Sequence, residues 1–198
     1  MNDTMFRLVI LVLMVTALSI SAYFRRKAQR TGGDKIDRTQ EGVPLMIVLR
    51  VAGLSLWLSV LAYVINPEWI AFAALPIPDA LRWFGFVLSL LALPLMLWMF
   101  RSLGNNITDT VQTRARAQLV VRGPYQYIRH PLYSFGVLFF IGLMLMAANA
   151  LIVFFGATAL VMLILRTPIE EKMLMEKFGD AYREYMTRTP RFVPHLTR

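Results

Sequence analysis

Long apolar runs alternate with short polar and basic segments along this chain. Three runs, at residues 5–24, 44–65 and 80–100, approach the roughly 20 residues that a helix needs to cross a bilayer. Arg50 lies near the start of the second run, from where its side chain can extend to the membrane surface. Pro94 lies inside the third, and membrane helices tolerate a proline where neighbouring groups satisfy the freed carbonyl. The pattern predicts three transmembrane helices in the first half.

Two shorter apolar runs follow, at residues 132–146 and 150–165, with only Ala147-Ala148-Asn149 between them. A helix of about 15 residues rises about 22 Å, which is less than the roughly 30 Å of a hydrocarbon core. This spacing predicts a tight helical hairpin and leaves open whether its two helices fully span the bilayer.

From Pro168 onward, apolar residues recur at helical spacing with charged residues between them. Ile169, Met173, Leu174 and Phe178 form this stripe, which is typical of an amphipathic helix. The predicted fold is an all-α integral membrane protein of about five transmembrane helices, the last two a tight hairpin, with a C-terminal amphipathic cytoplasmic helix.

The basic residues follow the first, third and fifth runs, and only Arg7 and Arg82 fall on the opposite side. The positive-inside rule then puts the N-terminus outside, and the 101–130 loop and the C-terminus in the cytoplasm. Because Arg25-Arg26-Lys27 follows the first run, that run is interpreted as a retained helix and not as a secretory signal.

The composition is typical of a membrane protein and excludes several kinds of functional site. Hydrophobic residues make up 57% of the 198 and charged residues 17%, with a mean hydropathy of +0.55, where a soluble domain has about 45–50% and about 25%. The chain has no cysteine, which excludes disulfides and thiolate chemistry, and two histidines, which argues against a multi-histidine metal centre. The net charge is +9, and the basic residues behind it flank the apolar runs. We therefore expect them to set the membrane topology and expect no nucleic-acid partner.

Aromatic and basic residues concentrate between Arg122 and Tyr133, ahead of the hairpin. His130-Pro131 stands where a helix is expected to begin, and the amide N–H groups of a helix start favour an anionic or polar ligand group. Tyr125 and Tyr133 could stack on a ligand ring there. An interfacial belt of tyrosine, arginine and histidine explains the same residues without a ligand.

Arg166 and Glu170 lie four residues apart at the end of the fifth run, and therefore share a helix face. One interpretation is an ordinary ion pair at a helix end. The other is a charge pair facing a polar cavity, in which the glutamate holds a cationic amine and the arginine a carboxylate. Leu103-Gly104-Asn105-Asn106, after the third run, is interpreted as a helix C-cap with Gly or Asn in the left-handed conformation, in preference to amide groups turned toward a site. We find no G-x-G-x-x-G loop, so a nucleoside cofactor would need a pocket built from helices and loops.

Together these motifs resemble the isoprenylcysteine carboxyl methyltransferase family, whose wider group includes integral-membrane phospholipid methyltransferases. The resemblance covers residues 103–195, in this order: Gly123-x-Tyr125, Arg129-His130-Pro131-x-Tyr133, Glu170-Glu171, Phe178-Gly179-x-x-Tyr182-x-x-Tyr185 and Pro190-Arg191-Phe192-x-Pro194. The apolar runs give an N-terminal three-helix membrane region, residues 1–100, and the resemblance implies a cofactor-binding and catalytic region, residues 101–198.

The resemblance also implies S-adenosylmethionine as the cofactor and S-adenosylhomocysteine as its product. Its cofactor contacts would come from Ala117, Gln118, Leu119, Val120, Tyr125, His130, Pro131, Leu132, Tyr133 and Glu170. Arg166 would bind and orient the substrate carboxylate as the catalytic residue. The chain departs from the family pattern at Ala117, where a polar side chain is usual, and at Gly136, which follows Tyr133 by three residues.

A carboxylate is already a nucleophile at neutral pH, because its pKa is about 4, so its methylation needs alignment and desolvation but no base. The resemblance implies carboxyl O-methylation of a lipophilic or isoprenylcysteine-like acid that enters from the bilayer among membrane lipids. A phospholipid-amine or thiol methyltransferase remains an alternative, with His130 as the candidate base, and so does a non-catalytic membrane protein. The acceptor and the oligomeric state are not readable from the sequence.

Overall fold

The structure, a computed structural model, describes residues 2–31, 43–104 and 118–195. These ranges form six α-helices and two short 3₁₀ turns, Pro67–Ala73 and Gly123–Gln126. The α-helices are α1 Asn2–Thr31, α2 Val43–Ile65, α3 Asp79–Leu103, α4 Pro131–Ala147, α5 Ala150–Phe178 and α6 Asp180–Arg188.

Four of these helices, α1, α2, α3 and α5, are long and apolar enough to cross a membrane. Many of their large apolar side chains point away from the protein core, as a lipid-facing surface requires. The prediction of an all-α membrane fold is confirmed. Gly104 caps α3 with a positive φ of 58°, as expected, and its N–H bonds to the Phe100 carbonyl.

The short helix α4 runs beside α3 from one end of the bundle to the other. Near its start, Leu132 packs against the cluster that contains Phe100 of α3. Near its end, the Met146 carbonyl accepts a 2.9 Å hydrogen bond from Nε of Arg82. The stretch of α3 between Arg82 and Phe100 rises about 27 Å. The 17 residues of α4 therefore extend over most of a hydrocarbon core.

Small residues allow α3 and α4 to approach closely. A Cβ built on Gly85 would lie 2.6 Å from the Gly142 carbonyl oxygen, and one built on Gly142 would overlap the Ser89 hydroxyl. That hydroxyl donates a 3.0 Å hydrogen bond to the Phe139 carbonyl. Without a hydrophobic drive between helices in lipid, such close backbone packing is a main source of association.

The predicted hairpin between α4 and α5 is confirmed, and its turn is two residues long. Ala148 adopts the left-handed conformation, and the Asn149 side chain caps α5 by accepting from the Leu151 N–H at 3.0 Å. The turn rests on the segment after α2, because Asn149 Nδ2 donates to the Ile70 carbonyl at 2.9 Å. Beyond the turn, α4 packs chiefly on α3 and α5 chiefly on α2.

The helix that follows the turn does not end at the expected boundary near residue 165. It continues through Pro168 to Phe178 and ends at Gly179, whose φ is 56°. A proline removes one backbone hydrogen bond, and the buried Thr167 hydroxyl donates to the Leu163 carbonyl in the turn before it. The predicted amphipathic C-terminal helix therefore corresponds to the last turns of α5 together with α6.

A polar cluster at the end of the bundle opposite His130 joins the first three helices. Arg82 of α3 is 9% exposed and donates to Asp3 of α1 at 2.7 Å and to the Tyr63 hydroxyl of α2 at 2.9 Å. Its guanidinium also lies 4.0 Å from the Phe6 ring centroid. Because its charge is paired and its donors are used, Arg82 can remain buried near the membrane.

Candidate functional site

The site lies at the other end of the bundle, where the Gly123–Gln126 turn, the start of α4, the end of α5, α6 and the chain after α6 converge. Gly123 makes the turn possible: its φ is 64°, and a Cβ there would overlap the Ser102 side chain of α3. This turn delivers Tyr125 to the apolar cluster that also contains Leu132.

Three of the predicted site residues form one contact group between α4 and α5. The Tyr133 hydroxyl donates a 2.6 Å hydrogen bond to Oε2 of Glu170. The rings of His130 and Tyr133 stack with centroids 5.4 Å apart and a 6° angle between planes, and Nδ1 of His130 lies 3.8 Å from Glu170 Oε2. The Glu170 side chain is 25% exposed, so its carboxylate is accessible to a ligand.

Tyr125 lies beside this group and is held from α6. The Tyr185 hydroxyl donates a 2.5 Å hydrogen bond to the backbone carbonyl of Tyr125. Burial, with the negative charge of Glu170 adding to it, raises the pKa of Tyr125. The phenol therefore stays neutral at physiological pH and can act as a hydrogen-bond donor but not as a general base.

The neighbouring carboxylate, Glu171, is buried and binds two arginines. Oε1 lies 2.9 Å from Arg129, and Oε2 accepts from Nε and an NH₂ nitrogen of Arg191 at 3.0 and 2.7 Å. Its Oε1 is also 3.2 Å from Nε2 of His130. An ionised carboxylate only accepts hydrogen bonds, so Nε2 of His130 carries the hydrogen. The side chain is 2% exposed, and the two cations compensate the cost of burying its charge.

The chain after α6 folds back over the start of α4. The Arg129 N–H donates to the Pro190 carbonyl at 2.8 Å, the His130 N–H to the Arg191 carbonyl at 3.0 Å, and the Ser134 hydroxyl to the Phe192 carbonyl at 2.7 Å. The amides of Arg129 and His130, directly before α4, are thus paired with the chain after α6.

The remaining predicted residues are distributed around the group. Pro131 is buried in the first turn of α4, and Arg166 is half-buried on α5, one turn before Glu170. Leu119 and Val120 are half-buried and Gln118 is exposed, at the start of the segment that leads to the Gly123 turn. Ala117 lies outside the described residues. The shared helix face of Arg166 and Glu170 agrees with both interpretations of that pair.

Sequence reasoning did not assign roles to Arg129, Glu171 and Arg191. Arg129 belonged to the aromatic and basic cluster ahead of the hairpin, and all three lie inside the motifs of the family resemblance. Nothing in the local pattern distinguishes Glu171 from Glu170, and the partners of Glu171 come from positions 42 and 20 residues away in the chain.

Comparison with known proteins agrees with this arrangement. Residues 80–181 match the phospholipid methyltransferase family model. Protein-S-isoprenylcysteine O-methyltransferase B of Arabidopsis thaliana is 28% identical over 154 residues, which are 76% of this chain and 77% of the plant protein. Methanethiol S-methyltransferase 1 of Bradyrhizobium diazoefficiens is 31% identical over 70 residues, 35% of this chain and 24% of that protein.

Among solved structures, the eukaryotic intramembrane Ras methyltransferase (isoprenylcysteine carboxyl methyltransferase) superposes with a TM-score of 0.51 and 19% identity. The match covers 95% of this chain and 68% of that one. The helical bundle with its site at one end is therefore a multi-pass membrane methyltransferase fold. The chain belongs to the phospholipid methyltransferase family, whose model matches just over half of it and includes α3, α4, α5 and the contact group around Glu170.

Proposed function

We propose that this protein transfers a methyl group from S-adenosylmethionine to the carboxylate of a lipophilic, isoprenylcysteine-like acid. The observation that carries the proposal is the half-buried carboxylate of Glu170, held by the Tyr133 hydroxyl at 2.6 Å beside the stacked rings of His130 and Tyr133. Arg166 lies one turn away on the same helix. An anion, aromatic faces and a cation are thus available at one end of the bundle.

The donor set fits the cofactor that the resemblance implies. When bound, S-adenosylmethionine supplies a methyl group activated on a sulfonium. Glu170 is the residue that would hold the amino group of its methionine part, by a charge-assisted hydrogen bond. The stacked pair of His130 and Tyr133 offers ring surface to a nucleobase, and the neutral phenol of Tyr125 offers a donor. Pro131 and Leu132 add apolar lining.

Arg166 would bind and orient the acceptor. A planar guanidinium can hold both oxygens of a carboxylate in a bidentate pair, and the remaining lone pairs of those oxygens would be available to accept the methyl group. Because a carboxylate is ionised at neutral pH, the step needs no proton transfer by the protein. The described site agrees with this, since Tyr125 stays neutral and His130 Nε2 is engaged by Glu171.

The plant relative is named for O-methylation of isoprenylcysteine, which supports the carboxylate acceptor. A thiol acceptor is the second candidate, favoured by the named activity of the methanethiol S-methyltransferase over its shorter match. A phospholipid amine is favoured by the family name alone. For either acceptor, Nδ1 of His130 would be the candidate base.

We further propose that the site and the C-terminus lie in the cytoplasm and that the N-terminus lies outside. The segments that follow the first, third and fifth apolar runs carry most of the Lys and Arg residues, which supports this orientation. In this proposal, residues 1–100 supply the membrane region, and residues 101–198 supply the cofactor and catalytic groups. Lipophilic substrates would enter from the bilayer.

The test is methyl transfer by the purified full chain in lipid nanodiscs, with a panel of lipophilic carboxylates, thiols and amines. Arg166→Ala should abolish turnover on a carboxylate while cofactor affinity stays within a few fold. Arg166→Lys should rescue poorly, because an ammonium offers a point charge and no fork. Near-wild-type turnover by Arg166→Ala on the true acceptor would exclude the carboxylate. Calorimetry that detects no S-adenosylmethionine binding to the wild type would exclude the enzyme proposal altogether.

A further inference from the structure

Glu171 connects the C-terminal tail, residues 189–195, to the cofactor site. Arg191 of the tail donates twice to its Oε2, while Arg129 lies against its Oε1. The same Arg129 donates through Nη1 to the carbonyls of Met186 and Thr189, at 2.9 and 3.0 Å, where α6 ends. The buried Glu171 carboxylate thereby contacts the tail through Arg191 and the end of α6 through Arg129.

The contact chain continues from Glu171 into the group that would hold the cofactor. Nε2 of His130 is bonded to Glu171, so its ring orientation is set by that carboxylate. The His130 ring stacks on Tyr133, and the Tyr133 hydroxyl bonds to Glu170. Tail docking and the position of the Glu170 carboxylate thus share a continuous path of contacts.

We propose that Glu171 is a positioning residue, which couples docking of the tail to the geometry of the His130–Tyr133–Glu170 group and so to cofactor affinity. The inference rests on the proposed function of that group. Glu171 does not need to touch the cofactor, because its carboxylate is 2% exposed and its oxygens are occupied by Arg129, His130 and Arg191. Its effect passes through His130 on one side and through the tail on the other.

Arg191 is the releasable part of this connection. Its side chain is 48% exposed, whereas that of Arg129 is 8% exposed. Removing the Arg191 side chain exposes Oε2 of Glu171 to water and leaves the ion pair between Arg129 and Oε1 in place. Removing the Glu171 charge instead leaves a buried arginine without compensation, which is costly to folding. Arg191 variants are therefore the sharper test, with Glu171→Gln as a supporting variant.

The experiment compares Arg191→Ala and Arg191→Lys with Arg188→Ala in the full-length protein. Arg188 is a matched control, because it pairs with Glu184 at 3.3 Å on the surface of α6 and both side chains are about 70% exposed. Amide hydrogen exchange at Arg129 and His130 reports tail docking directly, since both N–H groups donate to tail carbonyls. Calorimetry gives the S-adenosylmethionine affinity. Methyl-transfer kinetics, measured on the acceptor that the substrate panel identifies, separate an effect on KM for the cofactor from an effect on kcat.

We expect Arg191→Ala to speed exchange at both amides at least tenfold and to weaken cofactor binding tenfold or more. Its kcat, measured at saturating cofactor, should stay close to that of the wild type. The cofactor affinity and exchange rates of Arg191→Lys should be intermediate, and those of Arg188→Ala should match the wild type. Faster exchange with unchanged cofactor affinity would overturn the positioning role, and unchanged exchange would overturn the tail connection. In either case wild-type binding would leave the proposed function intact. A wild type that binds no S-adenosylmethionine would instead remove both.

Discussion

The Tyr133 hydroxyl and the Glu170 carboxylate are joined by a 2.6 Å hydrogen bond that connects α4 to α5 at the site. The two helices leave the same two-residue turn at the opposite end and then pack on different partners, α4 on α3 and α5 on α2. Polar contacts reconnect them where the family residues converge. This arrangement makes the Tyr133–Glu170 bond a sensitive test of the site.

Tyr133→Phe should weaken S-adenosylmethionine binding several-fold. The substitution keeps the ring that stacks on His130 and removes the donor that orients Glu170. Calorimetry on the purified protein measures the change. Tyr127→Phe is the control, because Tyr127 is 43% exposed and lies in the same connecting segment. Equal or tighter binding by Tyr133→Phe would show that the bond does not prepare the carboxylate for the cofactor.

Glu170→Gln should weaken cofactor binding more strongly, by roughly tenfold to a hundredfold. A lost charge-assisted hydrogen bond typically costs about 1.5–3 kcal/mol, and glutamine still accepts from Tyr133. Glu176→Gln provides the control, since it removes an exposed carboxylate from the same helix. If cofactor affinity does not change, an ion pair with Arg166 becomes the better account of Glu170.

Gly142→Ala should destabilise the bundle by about 1–3 kcal/mol, the usual cost of overpacking a tight contact. The new methyl group would overlap the Ser89 hydroxyl and the Gly85 carbonyl, so α3 and α4 would have to separate. The apparent free energy of unfolding in mixed detergent micelles gives the measurement. Gly136→Ala on the same helix meets no atom within 4 Å and should be neutral or slightly stabilising. Equal effects of the two changes would contradict the close α3–α4 contact.

Tyr182 and Tyr185 offer a matched pair on α6, with ring centroids 5.8 Å apart and both side chains buried. The Tyr185 hydroxyl bonds to the Tyr125 carbonyl, whereas within the described parts of the chain the Tyr182 hydroxyl has no hydrogen-bond partner. Without cofactor, Tyr185→Phe should cost about 0.5–1.5 kcal/mol of stability, and Tyr182→Phe should cost nothing or stabilise. Thermal unfolding in detergent distinguishes the two, and a larger loss for Tyr182→Phe would contradict the assigned bonds.

A C-terminal fusion should report a cytoplasmic C-terminus. The reporter pair is alkaline phosphatase, active only outside the cytoplasm, and green fluorescent protein, fluorescent only inside. Fluorescence without phosphatase activity is expected, because the segments that follow the first, third and fifth apolar runs carry most of the Lys and Arg residues. The reverse result would overturn the orientation, although not the bundle, whose helix contacts do not depend on its direction in the membrane.

Several features of this protein could be predicted from the sequence because local rules govern them. Apolar run length places the membrane helices, since every backbone polar group must be satisfied within the segment in lipid. The 3.6-residue period puts Arg166 and Glu170 on one face of α5. Gly104 ends α3 where expected, because glycine accepts the positive φ that a helix cap requires. Run length was less informative for α5, whose helix continues through Pro168 because the proline removes only one hydrogen bond.

Only the tertiary structure decided which of two adjacent glutamates is buried. Successive helical side chains differ by about 100° in direction, so Glu170 and Glu171 leave α5 on different sides. Which one faces Arg129 and Arg191 depends on how α5 is rotated against α4 and the tail. That rotation results from packing between segments far apart in the chain, and no local pattern encodes it. The sequence could therefore name both carboxylates, while their separate roles follow from contacts that exist only in the folded protein.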